Sequence, residues 1–145
     1  MKIRLTICLL GLILTGFAQE NPDYLLWSPT KKLSIADFGI KKSNAASSAS
    51  FAQFSLDYSV NGFDFMTKNF NKKVKNSMII SASWIDTTAN VDASIKYQQT
   101  LFDLAEIYAR KFRKEIRENR QLIATGVQCI EGINSRVSTE FSKRR

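Results

Sequence analysis

KYQQTLFDLAEIYARKFRK, residues 96–114, is the stretch on which the fold turns. Phe102, Ala105, Ala109 and Phe112, with Ile95 before them and Ile116 after, recur at spacings of three, four and seven. That period places them on one helix face. Tyr97, Leu101, Leu104 and Tyr108 form an adjoining stripe, so about half of the helix circumference is apolar. Asn90 suits the N-cap, Asp92 the positive end of the helix dipole, and the basic run RKFRKEIRENR the other end. These signals predict a helix over 90–120. A break around Ala124-Thr125-Gly126 precedes a second amphipathic helix marked by Val127, Ile130, Ile133, Val137 and Phe141.

Upstream of the helix the period is two. In QFSLDYSV (53–60), Phe54, Leu56, Tyr58 and Val60 alternate with polar residues, which puts all four on one face of a strand. Asn61-Gly62 follows, a dipeptide suited to a tight hairpin, and FDFMTKNF (63–70) reads as the return strand. After the basic turn NKKVKN (71–76), SMIISASWI (77–85) places Met78, Ile80, Ala82 and Trp84 on one face. The expectation is an antiparallel meander of three strands packed by the 90–120 helix, an α+β domain. LLWSPTKKLSIADF (25–38) reads as an entry segment and edge strand, and KKSNAASSAS (41–50) as a loop.

The first residues, MKIRLTICLLGLILTGFAQE, have the form of a signal peptide: Lys2 and Arg4, an apolar run from Leu5 to Phe17, then Gly16 and Ala18 at the cleavage positions. Cleavage after Ala18 gives an exported protein, periplasmic or extracellular, whose residues 19–145 form a single domain. No transmembrane span is expected after signal removal. Nineteen basic and thirteen acidic residues remain, a net charge of +6, which favours anionic envelope polymers or lipid head groups over nucleic acid as partners. Lys68, Lys72, Lys73 and Lys75 cluster around the basic turn, where an envelope-binding patch is one reading and a soluble turn that discourages strand-edge pairing is the preferred one. Cys129 is then the one remaining cysteine, which precludes an internal disulfide and reads as a small core residue.

The chain contains no histidine. That excludes Ser-His-Asp and Cys-His catalysis and any histidine-ligated metal. SPTK, beginning at Ser28, matches the S-x-x-K of penicillin-binding enzymes only as a string. Asp103 and Glu106, three apart, offer too few oxygens for a calcium site and read as members of a solvated face. Arg110 is placed to pair with Glu106 four residues earlier.

Trp27, Asp37, Phe38, Ser83, Trp84 and the helix residues Gln99, Phe102, Asp103, Glu106, Tyr108, Ala109 and Arg110 together carry a resemblance. In that order they resemble an uncharacterised bacterial family of predicted secreted zinc-dependent proteases, whose helix reads roughly HEQxHFDxxExYAR. The likeness runs from Trp27 to about Lys114 and implies a zincin-like scaffold. It departs at the chemistry. The two histidines of HExxH fall on Tyr97 and Leu101 and the glutamate on Gln98, so the motif reads Tyr97-Gln98-Gln99-Thr100-Leu101. In a working site the histidines hold zinc and the glutamate deprotonates the attacking water. Leucine cannot ligate, and glutamine cannot take a proton. The resemblance therefore implies an exported pseudo-metalloprotease without cofactor or catalytic residues, its old pocket filled by Tyr97, Gln98 and Leu101. An envelope-binding module for anionic lipid or polysaccharide and a hydrolase of unrecognised mechanism stay open beside it, with an anionic envelope component or a protein as the partner.

Overall fold

The structure is a computed structural model that describes residues 23–46, 48–58, 73–123 and 128–145. The signal peptide, the Asn61-Gly62 turn, the 63–70 strand, Lys68, Lys72 and the 124–126 break lie outside the described residues. In chain order the elements are β1 (Tyr24–Leu26), a 3-10 turn (Ile35–Asp37), β2 (Ile40–Lys42), β3 (Ser50–Tyr58), β4 (Val74–Asp86), α1 (Val91–Glu118), the single turn α2 (Arg120–Ile123) and α3 (Gln128–Arg144). The architecture is α+β. Among the described residues no helix is long and apolar enough to cross a membrane.

The 13-residue β4 is the spine of the sheet. β3 pairs with it antiparallel, Ser50 against Ile85 at one end and Tyr58 against Val74 at the other. β1 also pairs antiparallel, Tyr24 to Leu26 against Ile79 to Ser77, whereas β2 runs parallel, Ile40 to Lys42 against Trp84 to Asp86. Because residues 77–79 and 84–85 of β4 also hold β3, β1 and β2 must lie end to end along its other edge. The sheet is therefore mixed, which corrects the expected antiparallel meander. The loop expected at 41–50 gives its first two residues to β2 and its last to β3. The expected edge strand in 25–38 is real only at its start. Leu33 and Phe38 are buried beyond it, but Ile35 is exposed on the 3-10 turn, whose first residue follows a Ser34–Asp37 capping box.

A bulge explains a second correction. Gln53 pairs with Ile79 and Phe51 with Trp84, so Ile80–Ser83 stand opposite Ala52 alone. Three surplus residues, an odd number, reverse which side chains face the helices. Val74, Asn76 and Met78 point inward before the bulge, and Ser83 and Ile85 after it. Ala82 is exposed, and Trp84 lies beneath the Lys42 ammonium at 4.0 Å from the ring centre. Neither shares the Met78 face. The bulged backbone is satisfied from both sides: Gly39 N donates to Ile80 O (2.9 Å), Ile80 N to Asp23 O (2.8 Å), Ser81 N to the Asp23 carboxylate (2.8 Å) and Gln53 N to Ser83 Oγ (3.0 Å). Gly39 is glycine for the same reason, since a Cβ there would sit 2.5 Å from Ile80 O.

α1 begins at Asn90, whose side chain accepts from Ala93 N, and crosses the sheet with two successive cores beneath it. Near its start Phe102 joins Leu33, Phe38, Ala52, Met78 and Ile85, and stacks on Phe54 with ring centres 5.1 Å apart. Farther along, Phe112 and Ile116 meet Val74 and the α3 residues Ile130, Ile133 and Val137. Burying each large apolar side chain contributes about 1.5–3 kcal/mol, so the two clusters fix the helix over the sheet. Both helices run as their periods predict. Lys111 and Glu140 tie α1 to α3, and their hydrogen bond raises the lysine pKa and lowers that of the glutamate. Cys129 is half-buried at the margin of the second core.

Candidate functional site

The helix face that carries the family-like motif faces three different environments. Tyr97 is 54 % exposed, which corrects its place in the apolar stripe and in the filled pocket. Its position lies one residue before Gln98, about 100° around the helix, and falls on the solvent side. Gln98 and Leu101 are buried, at 1 % and 5 % exposure. Gln98 Nε2 donates to Ser50 Oγ at 3.0 Å, while its Oε1 is buried with no hydrogen-bond partner. The two positions that would carry histidines are thus a solvent-facing phenol and a core leucine.

The retained motif residues form a clasp between α1 and the N-terminal segment. Asp103 Oδ1 accepts from Trp27 Nε1 (2.9 Å) and from Gln99 Nε2 (2.8 Å), and Gln99 Oε1 accepts from Leu33 N (2.8 Å). The Arg110 guanidinium lies 5.4 Å from the Trp27 ring centre and its Nε donates to Glu106 Oε1 at 3.1 Å. One helix turn apart, Gln99 and Asp103 hold the segment's backbone and its tryptophan, and Arg110 covers the ring. Phe102 packs the core, and Tyr108 stands edge-on to Phe141 at 5.7 Å.

Glu106 is not part of a solvated face. It is 6 % exposed, and its Oε1 also accepts from Arg113 Nη1 at 2.8 Å. Arg113 in turn donates Nη2 and Nε to Val74 O, at 2.8 and 3.2 Å. Asp103 and Glu106 therefore have separate partners and share no cation site. Among the described residues no group of three His, Cys, Asp or Glu side chains stands ready to hold a metal. The donors actually present, one exposed phenol, one amide oxygen and a carboxylate taken by two guanidinium groups, do not fit zinc. Of the other expected residues, Asp37 caps the 3-10 turn and binds Lys31 (3.2 Å), so the SPTK lysine serves that carboxylate. Ser83 Oγ donates to Ile79 O (2.6 Å) within the bulge. Lys73 and Lys75 are exposed.

Three features escaped the sequence reading. Arg113 was hidden inside a basic run, although it lies seven residues from Glu106 and so on the same helix face. Asp86 ends β4 buried, accepting from Thr88 Oγ1, Ala45 N and Thr88 N, and these bonds, led by the Thr88 hydroxyl, lower its pKa to about 2. It anchors the β2–β3 connection beside Asn44, which has a left-handed backbone (φ 52°). The third is a cavity of ≈ 240 Å³ between β3, α1 and α3. No periodicity signals such a space, because it depends on how three elements meet.

No family model matches this chain, and neither does any curated protein or solved structure.

Proposed function

We propose that the protein is an exported, non-catalytic member of the metalloprotease-like scaffold it resembles, a pseudo-metalloprotease whose helix motif serves architecture. The observation that supports this reading is the fate of the motif positions. Tyr97 faces solvent, Gln98 and Leu101 are buried, and the one buried carboxylate of the motif helix is bound by Arg110 and Arg113. The motif carboxylates of this helix, Asp103 and Glu106, each already accept from two side chains, and no imidazole stands beside them to hold zinc. What persists from the motif is the Gln99–Asp103–Trp27 clasp, which holds the entry segment on the helix.

Metal analysis and a peptidase assay on the purified mature chain test the proposal together. The expected result is no stoichiometric zinc after dialysis and no chelator-sensitive hydrolysis of unstructured protein substrates. One equivalent of retained zinc, together with hydrolysis that a chelator abolishes, would overturn it. Fractionation of expressing cells tests export separately.

A further inference from the structure

The cavity between β3, α1 and α3 has a composition that selects a ligand. Its inner end is built by buried residues, Asn76, Ala105, Ala109 and Val137, and its outer end by exposed Ser138, Ser142 and Arg145. Three aromatic rings, Phe54, Tyr108 and Phe141, line the space between. Arg145 is the one residue of the lining with a charged side chain. Its Nη2 donates to Ala52 O at 2.9 Å, and its guanidinium lies 5.0 and 5.8 Å from the ring centres of Phe51 and Phe54. The guanidinium is thus held at the mouth by one bond and two rings, and its five donors are not exhausted by one carbonyl.

We propose that this cavity binds a small aromatic monocarboxylate, ring inward among Phe54, Tyr108 and Phe141, carboxylate outward on Arg145. Size, shape and charge each enter the assignment. A volume of ≈ 240 Å³ lies below the roughly 300–1,000 Å³ of sites for drug-sized ligands, which restricts the occupant to about ten non-hydrogen atoms. Aromatic walls favour a planar body, through offset or edge-on contacts of the kind Tyr108 and Phe141 already make. The carbonyls at the end of α3, with about half a charge, and the main-chain carboxylate of Arg145 oppose an anion, but the guanidinium is the charged group fixed over the cavity, by the Ala52 carbonyl and the two rings. Ser138 and Ser142 supply hydroxyl donors at the rim. The assignment is independent of whether the motif helix is catalytic.

Phenylacetate is a suitable probe, with phenylacetamide as its neutral counterpart, followed by NMR titration of the full mature chain. Saturable shifts are expected at Tyr108, Ala109 and Phe141, with Kd on the order of 0.1–1 mM for so small a ligand. The amide should bind roughly tenfold more weakly, and Arg145→Gln should weaken the acid by a similar factor while leaving the amide unchanged. Ser142→Trp, at an exposed rim position, should block both ligands without unfolding the protein. Absence of saturable shifts at these residues overturns the proposal. Equal binding of acid and amide, or insensitivity to Arg145→Gln, overturns it as well, because either shows that the guanidinium does not select the ligand. Neither result bears on zinc content or peptidase activity, so failure here is distinguishable from failure of the pseudo-metalloprotease reading.

Discussion

Arg113 and Glu106 stand two turns apart on α1 and meet at 2.8 Å, and the same guanidinium closes on the carbonyl of Val74 at the start of β4. An ion pair within a helix is thereby turned into a joint between helix and sheet. Arg110 shares Glu106 but keeps 64 % of its side chain in solvent, against 16 % for Arg113. Two arginines on one carboxylate have unequal structural weight.

Arg113→Ala should therefore destabilise the protein by about 2–4 kcal/mol, since it leaves a buried carboxylate and a strand carbonyl short of a donor. Arg110→Ala should cost about 1 kcal/mol or less, the sum expected of an exposed i,i+4 pair and an exposed cation–π contact. Urea unfolding of both variants gives the order, and a larger loss at Arg110 would refute it.

Leu101 and Tyr97 make a matched pair for the two histidine positions. Leu101→Ala should cost about 2–5 kcal/mol, as core leucines do. Tyr97→Ala should change stability by no more than about 0.5 kcal/mol, because the ring is mostly in water. Thermal unfolding decides, and similar losses at both sites would mean that the two positions share one pocket.

Placing a glutamate at position 98, as the resembled family has it, should harm the fold. Gln98→Glu places a carboxylate at a buried position that offers it one serine hydroxyl. Burial raises the pKa of such a group above its unfolded value of about 4.3, at a cost of about 2–4 kcal/mol at pH 7 for a shift of two to three units. The penalty should grow as pH rises from the unfolded pKa to the raised folded one, and vanish below about pH 4. A variant equally destabilised at pH 4 and pH 7 would contradict this account.

Asp86 has the opposite sign. Its folded pKa, about 2, lies below the unfolded value, so its bonds to Thr88 and Ala45 contribute stability above about pH 4 that is lost as pH falls through 2. Asp86→Asn should be less stable than the parent at pH 7, and the difference should close on acidification across that window. Melting curves at several pH values test it. A constant difference would show that the carboxylate's charge is not what the β2–β3 connection uses.

Much of this fold is legible in the sequence where one period governs a whole element. The 3.6-residue repeat of α1 and α3 and the alternation in β3 survive in the structure because each faces a continuous core. β4 is legible as a strand over 77–85 but begins at Val74, inside the stretch expected as a basic turn, and its phase is lost because a bulge opposite Ala52 leaves no mark on a window of alternating residues. The parallel pairing of β2 was unreadable for a different reason. IKK carries no alternation, and its place is set by Gly39 and Lys42 bonding to a strand some 40 residues later. The candidate site divides the same way. The absence of histidine is plain from residue identity, whereas the exposure of Tyr97 and the burial of Glu106 depend on helix rotation against partners drawn from the whole chain.

β4 also sets an order of assembly. Among the described residues β1, β2 and β3 each pair with β4 and not with one another. A growing chain that has not yet delivered residues 74–86 consequently lacks the partner to which every one of these three described strands is bonded. Fragments ending before Val74 should thus show none of these strand pairings. Those extending through α1 should gain them together, with β1, which the adjoining Asp103–Trp27 clasp also holds, docking only once α1 is present.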